Sequence, residues 1–184
     1  MRYVAFLGSI NVGGNRLKMI DLREALERED FADIETVAAS GNVLFAHEAM
    51  PVEGLAEKIA WIIAEEFEID SEVVVMDRDA LAAAIAENPF AEDGEERFVH
   101  TMFFLEQPGE HQLKALKLDH EGRGNERIQA GEKALHVDYV DGVGRSKLTG
   151  DFITRRLGIR GTARNIRSMK RILAKMDELA AGHG

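Results

Sequence analysis

The order in which strand-like and helix-like patterns follow each other constrains the fold of this chain more than any single motif. A strand at Arg2–Leu7 precedes apolar residues with helical spacing from about Leu17 to Arg28. The stretch IETVAASGNVLFAH then predicts two strands joined at Ser40-Gly41-Asn42, where glycine supplies a positive φ. Pro51 opens a second helix, and Glu72–Met76 is a fourth strand. The first half of the chain therefore predicts the order β-α-β-β-α-β.

The second half of the chain repeats this order. Phe98–Leu105 is an aromatic-rich strand, and a helix follows Pro108. The stretch RIQAGEKALHVDYV predicts a hairpin that turns at Ala130-Gly131-Glu132. A helix from about Ser146 to Leu157 and an extended piece at Gly158–Ala163 complete the second set.

Each half therefore has the order of a split βαβ, or ferredoxin-like, fold. We expect an α+β fold made of two ferredoxin-like (βαββαβ) subdomains with antiparallel sheets, residues 1–90 and 91–184. The second subdomain carries a last helix, rich in basic residues, from about Asn165 to Ala181. Residues of the two halves match weakly, so the repeat is one of architecture.

The composition excludes several kinds of site. The 184-residue chain has no cysteine, which rules out disulfides, thiolate metal sites and cysteine nucleophiles. No two of its histidines have a metal-ligand spacing, so we predict neither a metal nor a cofactor. The sequence has no stretch of 18 apolar residues and no secretory-signal pattern, so we expect a cytoplasmic protein with no membrane partner.

Charge is distributed unevenly along the chain. Residues 145–175 contain ten Lys or Arg and one acid, Asp151, so this segment is net +9, and the remainder of the chain, whose total is −10, is −19. Such asymmetry can mark an end that binds anions or nucleic acid. The alternative is that the basic residues form a solvated face or attract the acidic remainder. An acidic chain repels nucleic acid at long range, which favours this alternative.

The predicted topology brings two polar segments to one edge of the first sheet. In a ferredoxin-like sheet the third strand lies between the first and second, so the loop after the first strand and the turn after the second share an edge. Together they form the first candidate site. Its residues are Asn11, Gly13, Gly14, Asn15, Ser40, Gly41 and Asn42.

The second candidate site follows the third and fourth strands of the second half, which are parallel and end at one edge. Both loops there open helices, whose N-termini favour anions, and three cationic side chains add full charges. The structural alternative is a tight glycine turn with Ser146 as the helix N-cap. The residues of this second site are Gly144, Arg145, Ser146, Lys147, Arg164 and Asn165.

No motif identifies a reaction. The stretch GSINVGG does not match GxGxxG, and GVGRSKLT lacks the spacing of a phosphate-binding Walker loop. No serine lies in a GxSxG elbow, and no pair of acids has a spacing that marks a general acid and base. His100 and His136 lie in predicted strands, which favours a structural role. Trp61 is predicted to pack in the interior.

Several segments together resemble the bacterial family of domain of unknown function 1697. These segments are VAFLGSINVGGNRLKMIDLREAL, ASGNVLF, NPF, DGVGRSKLT and GTARNIRSMKRI, and they follow the same order and spacing as in the family. The resemblance implies a two-subdomain α+β fold with ferredoxin-like halves and no established activity. The family pattern has an arginine where this chain has Gly8 and a tryptophan where it has Ile166.

Three functions are consistent with the sequence. The first is binding of a small phosphate- or carboxylate-bearing ligand, such as a nucleotide, at the Gly/Asn/Arg loops. The second is an enzyme acting on small metabolites, with the polar groups of Asn11, Asn15, Ser40 and Asn42 orienting the substrate. The third is an interaction module whose basic last helix binds an acidic protein or nucleic acid. The sequence predicts no catalytic residue and no oligomeric state.

Overall fold

The computed structural model describes residues 1–38 and 41–182, and the chain forms two compact units. The first unit comprises residues 1–83 and the chain from residue 170 onward, and the second comprises residues 84–169. The sequence-based division at residue 90 instead placed all later residues in the second subdomain. Among the described residues, no helix combines the length and the hydropathy that crossing a membrane requires.

The N-terminal sheet has four antiparallel strands in the order β2-β3-β1-β4. This is the ferredoxin-like order expected from the sequence. Apolar faces of α1 and α2 pack against the sheet in one core cluster, which includes Leu26, Ile63 and Phe45. The elements are β1 (Arg2–Leu7), α1 (Met19–Glu27), β2 (Ala32–Thr36), β3 (Asn42–Ala46), α2 (Val52–Phe67), β4 (Val73–Asp77) and α3 (Arg78–Ala86).

The second sheet repeats this arrangement with the order β6-β7-β5-β8, again antiparallel throughout. One face packs in a core cluster with residues of α4 and α5, including Leu116 and Ile153. The elements are β5 (Val99–Phe104), α4 (Glu110–His120), β6 (Arg127–Gly131), β7 (Ala134–Asp138), a 3-10 turn (Val143–Arg145), α5 (Gly150–Leu157), β8 (Gly161–Asn165) and α6 (Ile166–Ala181).

The start of α5 differs from the prediction. The helix begins at Gly150, and its N-cap is Thr149, whose hydroxyl accepts a hydrogen bond from Phe152 N at 3.1 Å. Ser146, the N-cap in the structural alternative, lies three residues earlier, and its hydroxyl donates to Glu126 and accepts from Leu148 N. The predicted helix start at Ser146 is therefore wrong by about one turn.

The segment before α6 also differs from the prediction. The predicted extended piece at Gly158–Ala163 is strand β8 at residues 161–165, which pairs along β5, and α6 begins immediately afterwards at Ile166. The strand therefore begins three residues later and ends two residues later than the local pattern predicts.

One predicted interior position is also corrected. Trp61, on α2, is 57% exposed instead of packed inside. On α6 the buried residues Ile166, Met169, Ile172 and Met176 recur every three or four positions, so they lie on one face of the helix.

Candidate functional site

The loop after β1 is held in shape by its own polar groups. Asn11 N donates to the Asn15 carbonyl (2.6 Å), and Asn11 Oδ1 accepts from Leu17 N (3.0 Å). Asn15 Nδ2 donates to the Ser9 carbonyl (3.0 Å). The exposed tip is the glycine pair at 13–14, where both residues have positive φ and an added Cβ would meet no atom within 4 Å. The two asparagines thus stabilise the loop, and the glycine backbone is its open surface.

The turn between β2 and β3 adjoins the end of β1. Leu7 N donates to the Gly41 carbonyl at 2.8 Å, so these two segments of the first candidate site lie together. Asn42 is buried, and its Nδ2 donates to the Val37 carbonyl at 3.1 Å. Ser40, the remaining residue predicted here, lies outside the described residues.

A buried carboxylate that the sequence analysis missed lies beside the first loop. Glu72 Oε2 accepts from the Ser9 hydroxyl (2.9 Å), and the Glu72 carbonyl accepts from Gly8 N (2.7 Å). The Ser71 hydroxyl donates to the Gly8 carbonyl (2.6 Å). The antiparallel pairing of β4 with β1 is the topological signal that could have placed this segment at the rim. The Glu72 carboxylate therefore belongs to the polar rim of the first candidate site.

The loop that carries the second candidate site is anchored through Ser146. The Ser146 hydroxyl donates to Glu126 Oε1 (2.5 Å) and accepts from Leu148 N (3.0 Å). Its neighbours Arg145 and Lys147 are both exposed. Gly144 is exposed as well, and an added Cβ would meet no atom within 4 Å, so its backbone is open to a ligand.

A further arginine, which the sequence analysis did not select, lies on the segment that contacts this loop. Residues 121–126 join α4 to β6 and touch the loop through Glu126 and through Asn125, whose Nδ2 donates to Asp141 Oδ2 at 3.0 Å. Arg123 lies in this segment, with its guanidinium 4.6 Å from the ring centroid of Phe152 in the first turn of α5. Stacking on an aromatic ring leaves the edge of a guanidinium free to donate hydrogen bonds.

The remaining predicted residues of the second site have structural contacts of their own. Arg164 donates from Nη1 to Thr162 Oγ1 (2.7 Å) and to the Ala163 carbonyl (2.8 Å), both within β8. Burial lowers the pKa of Arg164 to about 10. Asn165 Oδ1 accepts from Ser168 N at 2.8 Å at the start of α6. These contacts do not bring either residue to the loop at 144–147.

His136 and His120, in the second unit, are buried and have different partners. His136 Nδ1 lies 2.9 Å from Thr101 Oγ1, which also accepts from Asn88 Nδ2 (3.3 Å), and burial lowers the pKa of His136. His120 Nε2 lies 3.3 Å from Glu126 Oε2, and both side chains are more than nine-tenths buried. In the described part of the chain, no three His, Asp or Glu side chains form a group that could hold a metal ion.

Comparison with known proteins places the chain in a family. The model of the family described as "Protein of unknown function (DUF1697)" matches residues 1–136. The chain belongs to this family. A search of curated proteins found no match. Among solved structures, the conserved bacterial protein SP0830 from Streptococcus pneumoniae has a TM-score of 0.73 at 19% identity, covering 96% of this chain and 98% of that one. That similarity shows a shared fold for this DUF1697 protein.

Proposed function

We propose that this protein binds a small phosphate- or carboxylate-bearing ligand, such as a nucleotide, at the surface formed by Arg123, Arg145 and Lys147. The observation that supports the proposal is the Ser146–Glu126 hydrogen bond of 2.5 Å, which joins the loop carrying Arg145 and Lys147 to the segment carrying Arg123. In the part of the chain that the structure describes, none of these three cations has an acidic partner, so their charge is available to an anion.

The backbone around these cations suits the same ligand. The open Cα of Gly144 lets an anionic oxygen approach the main chain between the side chains. The N-terminus of α5 follows at Gly150, where unpaired amides and the helix dipole favour negative charge. Asp151 in the first turn of α5 opposes this effect, so the side-chain cations supply most of the attraction.

Calorimetric titration with pyrophosphate tests the proposal. We expect Arg145→Ala/Lys147→Ala to weaken pyrophosphate binding at least about tenfold, because two charged donors are lost. Arg16→Ala/Lys18→Ala removes the same charge from the loop of the first candidate site and is the matched control. Equal losses in both variants would show that only net charge matters, and an unchanged affinity in the Arg145/Lys147 variant would contradict the site.

The natural ligand and the location of the protein need separate measurements. Native mass spectrometry of freshly purified protein should show an adduct with the mass of a phosphate- or carboxylate-bearing molecule. The adduct should be absent from the Arg145→Ala/Lys147→Ala variant. A cytoplasmic location stays a prediction, which fractionation of the source cells tests.

A further inference from the structure

We infer that Glu126 is a positioning residue for this site, because its buried carboxylate fixes Ser146 and thereby places Arg145 and Lys147. The statement that Glu126 strengthens ligand binding rests on the proposed function. The statement that Glu126 orders the loop can be tested without any ligand. Glu126 immediately precedes β6, which gives the carboxylate a rigid base.

The contacts of one hydroxyl carry the inference. Ser146 Oγ donates its proton to Glu126 Oε1 at 2.5 Å and accepts the Leu148 amide proton at 3.0 Å. A hydrogen bond to a carboxylate is shorter and stronger than one between neutral groups. With its donor and its acceptor function both engaged, the hydroxyl holds the main chain of Ser146 in one position. The side chains of the flanking residues, Arg145 and Lys147, then extend from fixed positions on the main chain.

The Glu126 carboxylate is buried in surroundings where its burial costs free energy. Its side chain is 7% exposed, and His120, whose side chain is 8% exposed, places Nε2 3.3 Å from Oε2. Glu126 Oε2 and both ring nitrogens of His120 are buried without a hydrogen bond in the described structure. Burying such groups costs free energy, and an apolar side chain would fill the space more cheaply. Among the described residues, the Ser146 hydroxyl is the hydrogen-bond donor that this buried carboxylate has.

The loop's own backbone forms a 3-10 turn, closed by Ser146 N donating to the Val143 carbonyl at 3.2 Å, and Glu126 adds a side-chain anchor to this turn. Gly142 has φ +98° and Gly144 is exposed, so the chain on both sides of Val143 is intrinsically permissive. Without the anchor the loop would populate other conformations, and a ligand would have to order it on binding. That ordering lowers the affinity even when every charged side chain is still present.

Two measurements on the full chain test this inference. Pyrophosphate affinity is measured by calorimetry, and hydrogen exchange is measured at the amides of residues 143–148. We expect Glu126→Ala and Ser146→Ala each to weaken binding about tenfold and to speed exchange in this segment. Glu126→Gln keeps an oxygen that can accept from Ser146, so its affinity should stay within about threefold of the wild type. Glu132→Ala, which removes an exposed carboxylate from the turn after β6, is the control and should change neither measurement.

The outcomes separate this inference from the proposed function. Unchanged exchange at 143–148 in Glu126→Ala overturns the inference whatever the ligand does. Unchanged affinity in Glu126→Ala, together with a loss in Arg145→Ala/Lys147→Ala, overturns it and leaves the proposed function standing. If wild-type protein binds no pyrophosphate, the proposed function fails for this probe, and exchange alone decides whether Glu126 orders the loop. If Glu126→Ala does not fold, Ser146→Ala tests the same bond from its other side.

Discussion

Gly8 lies where any side chain would collide with Glu72. An added Cβ would overlap Glu72 Oε2 and lie 3.3 Å from both the Cβ and the carbonyl oxygen of Glu72. A glycine at this position leaves space for the Glu72 carboxylate, which accepts a hydrogen bond from the Ser9 hydroxyl at 2.9 Å.

We expect Gly8→Ala to lower the free energy of unfolding by about 1 kcal/mol, because the Glu72 carboxylate must swing away and lose its bond to Ser9. Urea unfolding measures the effect. Ser9→Ala removes the same hydrogen bond without crowding, so it should destabilise less than Gly8→Ala. A Gly8→Ala variant as stable as the wild type would show that Glu72 moves freely.

The roles of several other residues depend on contacts with residues that are far away in the sequence. The amide groups of Asn11 and Asn15 could be recognised from the sequence as polar and close to a turn, but not as the groups that close the loop. Ile166, where the family pattern has tryptophan, is fully buried, so this position offers no stacking surface here. The sequence did not predict Arg123 as a site residue, because Phe152, whose ring its guanidinium stacks on, lies 29 residues further along the chain.

At the level of elements, α5 shows how far a local pattern can predict a boundary. The stretch GRSKLT contains two residues able to cap a helix, Ser146 and Thr149, three positions apart. Nothing local distinguishes them. In the structure the Ser146 hydroxyl donates a hydrogen bond to Glu126, and the Thr149 hydroxyl accepts the hydrogen bond from Phe152 N that caps the helix. The existence of the helix was predictable, and its first turn was not.

We expect Thr149→Ala to lower the free energy of unfolding by about 1 kcal/mol through loss of the N-cap. Thr149→Ser keeps the hydroxyl and should cost only a few tenths of that amount. Urea unfolding followed by circular dichroism gives both values. Equal stability of the alanine and serine variants would mean that the Thr149 hydroxyl does not hold the helix start.

At the level of the whole molecule, the sequence predicted the strand order because six short patterns in a fixed order leave few topologies open. It did not predict that the chain from residue 170 onward groups with the first unit. The ion pair between Lys175 Nζ and Glu35 Oε2 (3.5 Å) joins parts of that unit 140 residues apart. Such pairings have no local signature, so a division of the chain from patterns alone misses them.

The same long-range pairing bears on the basic segment at 145–175. Arg156 pairs with Asp119 of the second unit at 3.0 Å, and Lys175 pairs with Glu35 and Glu178 of the first unit, so part of the segment's charge is already neutralised. We therefore expect a fluorescent single-stranded oligonucleotide to bind more weakly than about 100 µM at 0.15 M salt, the weak end of nonspecific binding. Anisotropy titrations from 0.05 to about 0.2 M salt measure this. Micromolar affinity that falls steeply with salt would mean that the paired cations give up their carboxylate partners and bind phosphates of the oligonucleotide. That result would favour an interaction module over a protein that binds a small ligand.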